Sequence, residues 1–232
     1  MNQKGFSMLE LLLASALVSL IAIAVAPMML RVNDDVSAKA TADDYSLFQA
    51  AASAHFQANR ATYISAMTDG TGAANLCKLG VAADGTGGVS ANNTTLKTCA
   101  LDGSMLRFLQ ALPTQVRERN RYGERWVAIF RAVYTTVAPI QPTGGVEMLI
   151  VSADVDGVGG VVNRDPRRYG EAAAAAEFTG GSGGVVPDTD RSTCVVNKNT
   201  NRFEACGNGW KVNLSDFVSP TQLAAFANRV QN

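Results

Sequence analysis

One acidic residue lies where an ionised side chain is energetically costly. Glu10 comes directly before Leu11–Leu30, a stretch without any charged residue. A carboxylate in such an apolar run costs about 3 kcal/mol or more when the run enters a membrane. The nearest preceding cation, Lys4, is six residues away and not at helical spacing. Glu10 therefore predicts a cationic partner supplied by another molecule.

The cysteines form a second group with possible chemistry. The chain has one histidine and no C-x-x-C pair, which argues against a zinc site. An even number of cysteines in an exported protein indicates two disulfides, and three connectivities are possible. We favour the sequence-local pairs, which flank Gly- or Asn-rich turns: Cys77 with Cys99 and Cys194 with Cys206. The chain-entropy treatment gives about 3 kcal/mol for each closed loop. Reduced, buried thiols are the alternative, and they would require a cytosolic protein.

A pair of acids could bind a hard cation. Asp154 and Asp156 precede Gly157, and Asp165 could add another oxygen ligand. The spacing lacks the third acid and the terminal Glu of an EF-hand loop. Asp154 and Asp156 are therefore a weak calcium candidate, and a plain turn is favoured.

A local basic run precedes and enters a predicted strand. Glu118 and Glu124 interrupt the run, and a strand directs alternate side chains to opposite faces. A solvated surface or a subunit contact is thus favoured over DNA binding, and no nucleic acid is predicted as a partner. The basic residues are Arg117, Arg119, Arg121, Arg125 and Arg131.

Composition excludes several function classes. Twenty basic and twenty acidic residues give a net charge of zero, so the chain has no global attraction to nucleic acid or acidic lipid. No phosphate loop, G-x-S-x-G motif or set of nucleophile, base and orienting acid is present. The single histidine, His55, is expected to be packed or half-exposed. We expect no enzymatic activity and no cofactor.

The apolar run around Glu10 is long enough to span a bilayer. Phe6 to Leu30 is 25 residues, which suits a hydrocarbon core of about 30 Å. Lys4 favours a cytoplasmic N-terminal side. A secretory signal has a shorter apolar region and a small-x-small cleavage site after it. This run continues into further helical sequence, so a retained segment is predicted.

The sequence Lys-Gly-Phe-Ser-Met-Leu-Glu at residues 4–10 resembles the class III leader of type IV prepilins and type II secretion pseudopilins. The resemblance implies that a prepilin peptidase cleaves after Gly5 on the cytoplasmic side and methylates Phe6. It also implies that Glu10 pairs with the N-terminal amine of a neighbouring subunit. A glycine suits the cleavage site because it lets the protease approach the backbone closely. Ser7 and Met8 depart mildly from the usual Thr-Leu.

Pro27 lies inside the predicted helix, where proline removes a hydrogen bond and costs about 3 kcal/mol. Members of the prepilin family that the leader resembles often have a proline at this point, where the helix can loosen in the filament. The alternative is a kink of the kind that membrane helices tolerate.

Helical periodicity continues beyond the apolar run. Aromatic and small apolar residues recur at steps of three, four and seven, which predicts one buried stripe. The stripe consists of Tyr45, Phe48, Ala52, Phe56, Tyr63 and Met67. One helix is therefore predicted from near Phe6 to the mid-60s, ending before Asp69-Gly70.

The remaining sequence predicts a mixed head. Residues 69–100 are rich in Gly, Ala, Asn and Thr and are expected to form a surface loop closed by a disulfide between Cys77 and Cys99. A short helix is predicted for 104–112. Strands at 124–137 and 145–151, separated by a turn, predict an antiparallel hairpin.

Further elements are expected towards the C-terminus. A helix is predicted for 166–178, a hairpin for 194–206 and a strand for 210–217. Ser219 and Gln222 form a capping box that predicts a final helix.

The expected fold class is α+β, with a pilin-like arrangement. A long N-terminal helix, with a membrane half and an amphipathic half, packs on an antiparallel sheet head with a disulfide-closed C-terminal region. The expected segments are 1–5 as leader, 6–30 as membrane or filament-core helix, 31–68 as amphipathic half and 69–232 as head.

The resemblance implies a structural filament subunit that serves in adhesion, motility, DNA uptake or conjugation-type contact. Its partners would be other pilin subunits, prepilin peptidase and the assembly platform of the inner membrane. The precursor would span that membrane once with a periplasmic head, and the assembled subunit would reach the cell surface. A minor or adhesive pilin, a type II secretion pseudopilin and a membrane-tethered binding module that never polymerises remain alternatives.

Overall fold

The computed structural model describes residues 8–120, 124–153, 155–156, 160–161, 169–187, 192–197, 199–200 and 202–218. Several predicted features lie outside these residues. They are the cleavage and methylation residues Gly5 and Phe6, the acids Asp154 and Asp165, Arg121 and the C-terminal helix from Ser219.

Two consecutive helices begin the described chain. Helix α1 covers Met8–Ala58, and helix α2 covers Arg60–Thr68. The prediction of one uninterrupted helix was wrong at Asn59, which separates them. The Asn59 side-chain amide donates to the carbonyl of His55 at 3.0 Å, and such local side-chain bonds compete with the helical ladder. Pro27 lies within α1 without ending it.

The central sheet has four antiparallel strands, β3 (Asn92–Asn93), β4 (Thr98–Asp102), β5 (Arg125–Tyr134) and β6 (Pro142–Ala153). Their order in the sheet is β3-β4-β5-β6. The longest pair, β5 with β6, places Ile129 opposite Leu149 and Phe130 opposite Met148. The predicted hairpin at 124–151 is confirmed, and β6 extends at both ends beyond the predicted strand.

The prediction of a surface loop at 69–100 was wrong. The segment holds helix α3 (Ala73–Leu76), a hairpin of β1 (Lys78–Val81) and β2 (Gly87–Ser90), β3 and most of β4. All five residues of β4 are buried, because this strand lies between β3 and β5 in the sheet. The Cys77–Cys99 disulfide therefore joins the end of α3 to a central strand.

The shorter elements follow β4 and β6. Helix α4 is Gly103–Phe108, four residues shorter at its end than predicted. A small ladder pairs β7 (Val155–Asp156) with β8 (Gly160–Val161), and the described part of the alanine-rich helix is α5 (Tyr169–Phe178).

A second sheet is built from the C-terminal strands. They are β9 (Gly184–Val185), β10 (Val196–Asn197), β11 (Arg202–Gly207) and β12 (Trp210–Asn213). The Cys194–Cys206 disulfide closes this sheet. The strand predicted to Phe217 ends at Asn213, whose side chain accepts a hydrogen bond from the Ser215 N–H at 3.3 Å and caps a 3₁₀ turn, Leu214–Asp216.

The central sheet is covered on both faces. On one face, Phe48, Phe56 and Phe130 belong to a core cluster shared by α1, α2, α4 and the sheet. On the other, Val127 and Ile129 pack with residues of the C-terminal sheet. The head thus has three layers, which are the helices, the central sheet and the C-terminal sheet, and a cluster of buried apolar residues lies between each adjacent pair.

Asp102 connects four parts of the head. Its buried carboxylate caps α4 by accepting from the Met105 N–H at 3.0 Å. It also accepts from the Gly80 N–H of β1 at 2.8 Å and from Arg125 of β5 at 3.0 Å. The Ser104 hydroxyl donates to it at 2.6 Å.

Replacing Asp102 should destabilise the head. We expect Asp102→Ala to lower the free energy of unfolding by about 3 kcal/mol, because it leaves the Arg125 guanidinium and two backbone N–H groups without their acceptor. Urea unfolding followed by tryptophan fluorescence measures the change. The matched control is Asp84→Ala, which removes an exposed carboxylate bonded to Thr86 and should leave the midpoint nearly unchanged. Equal midpoints for both variants would contradict the role of Asp102.

Candidate functional site

The first half of α1 projects from the head as an uncovered apolar rod, defined here as residues 8–36. Its described side chains are exposed, and the first buried residue of α1 is Ala38. The rod spans 29 residues, or about 43 Å of helix. Its large exposed apolar residues are Leu12, Leu17, Val18, Leu20, Ile21, Ile23, Val25, Met28, Met29, Leu30, Val32 and Val36.

Both serines in the uncharged part of the rod, residues 11–30, bond to carbonyls of the helix, and the charged residues Arg31, Asp34 and Asp35 lie at the end of the rod nearest the head. The Ser15 hydroxyl donates to the Leu12 carbonyl at 2.9 Å, and the Ser19 hydroxyl donates to the Ser15 carbonyl at 2.8 Å. These bonds leave an outer surface that suits lipid or other apolar helices. By length and composition, α1 is the helix in the described part of the chain that could cross a membrane.

The structure brings two of the predicted assembly residues onto this rod. Glu10 lies in the first described turn of α1, and Pro27 lies 17 residues further along the same helix. At helical rise the two positions are about 25 Å apart. Their roles in assembly, and those of Gly5 and Phe6, stay predictions.

Beyond the rod, α1 docks on the head through the predicted stripe. Ala38 and Ala42 are buried where α1 meets α5, so small side chains let these helices approach closely. Tyr45 contacts Trp126 edge-on, with ring centroids 5.7 Å apart, and Phe56 stacks on Phe130 at 4.8 Å. Strand β5 therefore runs alongside α1, and the rod is anchored in the core.

Two arginines of the basic run form ion pairs in the head. Arg125 binds the buried Asp102. Arg131 binds Glu147 at 2.9 Å and lies over the Phe217 ring at 4.7 Å. These contacts give Arg125 and Arg131 structural roles within the head, and the absence of a nucleic-acid partner stays a prediction.

Two other groups have structural explanations. His55 packs edge-on against Tyr63, and burial lowers the pKa of its imidazole. Cys194 and Cys206 lie close to Glu204, but their sulfurs are joined in a disulfide and are not metal ligands. Asp156 lies in the β7–β8 ladder, and the weak calcium candidate that it forms with Asp154 stays a hypothesis.

Sequence reasoning missed two surfaces of the head. One is a cavity of ≈ 430 Å³ beside β6, whose walls come from segments far apart in sequence. No sequence signal marks it. The other is the tip of the β5–β6 hairpin, where Val137 and Ile140 are 74% and 69% exposed. In the sequence, the position of Val137 and Ile140 beside a predicted turn was the one indication that this tip exposes apolar side chains.

Comparison with known proteins places one segment of the chain. Residues 1–26 match the family described as the prokaryotic N-terminal methylation motif. The chain shows no match to a curated protein or to a solved structure. The matched segment contains the first part of the rod, including Glu10.

Because the rod has no packing partner in the described head, its removal should leave the head intact. We expect a fragment that begins at Ser37 to be soluble and to unfold in urea with the midpoint of the full chain. A fragment that begins at Ser46 loses the buried residues Ala38, Thr41 and Ala42, and it should lose about 2 kcal/mol or more. Tryptophan fluorescence in urea measures both fragments, and a strongly destabilised Ser37 fragment would contradict this separation.

Proposed function

We propose that this chain, whose residues 1–26 carry the class III leader of type IV pilins and pseudopilins, is a structural subunit of a type IV pilus-like filament. The leader and the apolar helix fit a membrane-anchored precursor of a pilin-like or pseudopilin-like subunit. Such proteins are generally structural and not enzymes.

The observation that carries this proposal is the rod itself. Its described large apolar side chains, from Leu12 to Val36, are exposed, while the same helix contributes buried residues to the head from Ala38 onward. Each such side chain gains about 1.5–3 kcal/mol when it leaves water. The rod is therefore stable in lipid before assembly and against the rods of other copies afterwards. Both environments suit a subunit that moves from a membrane into a filament.

Glu10 supplies the polar element of the rod interface. Cleavage after Gly5 would create a positively charged amine at Phe6, and the Glu10 carboxylate of a neighbouring copy would pair with it. Leu11–Leu30 has no charged residue, so no alternative cation exists along that stretch. Breaking a buried pair costs about 3–5 kcal/mol, because the remaining charge is left in an apolar surrounding. The pair would therefore fix the register between neighbouring rods.

Pro27 gives the rod a point of reduced helical bonding. It cannot donate to the carbonyl of Ile23, so the ladder lacks one bond in the middle of the rod. In the proposed filament, this is where α1 can unwind locally as rods pack, while the head remains fixed to the second half of α1.

The proposed route begins in the inner membrane, with the leader in the cytoplasm and the head in the periplasm. Prepilin peptidase would cleave the precursor and methylate Phe6, and the assembly platform would move it into the filament. Disulfides such as Cys77–Cys99 and Cys194–Cys206 suit that oxidising side of the membrane. The filament would then carry the heads to the cell surface.

Pilins and pseudopilins share this leader, so the leader does not say which kind of subunit the chain is. The number of copies in a filament distinguishes a major pilin from a minor pilin. A subunit that is abundant along surface filaments is a major pilin. A subunit that antibodies label only at filament tips is a minor pilin.

Removing the acid of the rod should block assembly but not processing. We expect Glu10→Ala to insert and to be cleaved normally, while the yield of sheared filaments falls at least about tenfold, since losing the pair costs more than 1.4 kcal/mol. Immunoblots of membrane and sheared fractions measure both steps. Ser19→Ala, which changes another polar residue of the rod, is the control. A normal filament yield from Glu10→Ala would count against the register role.

Changing the glycine of the leader should trap the precursor. We expect Gly5→Arg to remain uncleaved, because the large side chain prevents close approach of the peptidase to the backbone. Intact-mass analysis should find the leader retained in this variant. The control Met8→Leu should begin at Phe6 and carry one added methyl group. If Gly5→Arg also begins at Phe6, the proposed cleavage site is refuted.

A further inference from the structure

We propose that heads of successive copies join by a knob-into-cavity contact, in which the hairpin tip of one copy enters the cavity of the next. The knob is residues 135–141, and the cavity is the ≈ 430 Å³ space beside β6. The inference rests on the proposed filament and names a second copy of this chain as the occupant of the cavity.

The knob is uncharged, presents two exposed apolar side chains and is closed by hydrogen bonds between its two ends. Its sequence is Thr-Thr-Val-Ala-Pro-Ile-Gln, and Val137 and Ile140 are its exposed apolar side chains. Thr135 closes the tip, because its N–H donates to the Gln141 carbonyl at 2.8 Å and its hydroxyl accepts from the Gln141 N–H at 2.9 Å. A tip that is already ordered loses little conformational entropy on binding.

The cavity is large enough to receive side chains and, like the knob, has no charge among its described residues. Its volume lies within the usual range for binding cavities, about 300–1,000 Å³. None of the described residues that line it is charged. An uncharged knob therefore enters without leaving an ion unpaired, whereas a charged segment would lose its hydration with no partner.

The cavity walls offer both apolar surface and hydrogen-bonding groups. Residues 148–152 of β6 form one wall, and α1 contributes Ala42 and Tyr45. The Tyr45 hydroxyl and the Gln49 amide supply hydrogen-bonding groups in the walls.

The knob and the cavity lie at opposite ends of the head. Strand β5 begins beside Tyr45, which lines the cavity, and ends beside α2, where the Arg60 guanidinium donates to the Gly144 carbonyl. Tyr45 and Arg60 are 15 residues apart, or about 22 Å at helical rise. A contact between opposite ends is heterologous, so it repeats from copy to copy into an open assembly.

This contact is compatible with packing of the rods. Two copies displaced by about 22 Å along α1 still overlap over roughly 20 Å of their 43 Å rods. Rod packing and head contact can therefore form in the same assembly.

Photocrosslinking in assembled filaments tests the contact directly. A photoreactive phenylalanine replaces Ile140 in the full chain, and filaments are grown from a mixture of isotopically heavy and light subunits. We expect heavy–light crosslinks from position 140 to peptides that contain residues 148–152 or 182–187, which line the cavity. The same photoreactive residue at Phe108, which is 41% exposed on α4, should not reach those peptides. Filaments whose crosslinks from position 140 fall elsewhere, or are absent, would overturn the contact.

Matched variants test its contribution to assembly. Ile140→Asp should lower filament yield at least tenfold, while Val89→Asp, at another exposed apolar site of the head, should not. Ala176→Phe fills the cavity and should act like Ile140→Asp, whereas Ala174→Phe on the same helix is the control. Urea unfolding of each variant shows that the head is folded.

The outcomes separate this contact from the function on which it rests. Normal yield from both Ile140→Asp and Ala176→Phe would overturn the knob-into-cavity contact and leave the filament proposal standing. Absence of filaments from the unchanged chain would overturn both.

Discussion

The structure depends on one helix, α1, whose first half is an exposed apolar surface and whose second half is packed in the core of the head. From Leu12 to Val36 its described large apolar side chains are exposed, and from Ala38 it contributes to a packed core. Burial of the rod's side chains is worth about 1.5–3 kcal/mol each, so together they exceed the 5–15 kcal/mol that stabilises a typical domain. Water is therefore not a stable surrounding for the rod. In the proposed route, lipid covers it before assembly and other copies cover it afterwards.

This constraint explains why the head is self-sufficient. A subunit that exchanges lipid for other rods cannot depend on either for the fold of its head. The disulfides, the two packed faces of the sheet and the Asp102 contacts all lie within the head, beyond the point where the rod ends. The long helix contributes to this core only through its second half. Changes around the rod therefore need not alter the head.

Sequence periodicity predicted what depends on local spacing. The stripe from Tyr45 to Met67 and the β5–β6 hairpin follow from repeats within one segment, and the structure contains both. Strand β4 was missed because its five residues lie among turn-forming residues and are stabilised by pairing with β5, whose partner residues lie 25 to 33 positions later. The break at Asn59 is confined to one residue, whose side-chain amide bonds to the His55 carbonyl, and the spacing of the buried stripe continues across it. Glu10 was found because a lone charge in an apolar run is visible without any structure, whereas the cavity combines α1, β6, α5 and the C-terminal sheet.

Aliphatic helices alone do not define how an assembly is spaced. Leu, Ile, Val and Met side chains pack against one another at many offsets with similar energies, so rods with this surface can slide. Register has to come from groups whose partners are unique. In the proposed filament, Glu10 provides such a group at one end of the subunit, because a displaced carboxylate would stay unpaired. The hairpin tip provides a second at the far end of the head, because its shape fits one cavity. The Glu10 pair and the head contact require different displacements along α1, about 6 Å and about 22 Å, so in the proposed filament they join different pairs of neighbours. Tyr45 and Phe56 anchor the second half of α1 to the sheet, and Pro27 lies between this anchor and Glu10. The spacing of the heads therefore depends on how far the helix unwinds at Pro27, because that segment connects the charge on the rod to the hairpin tip of the head.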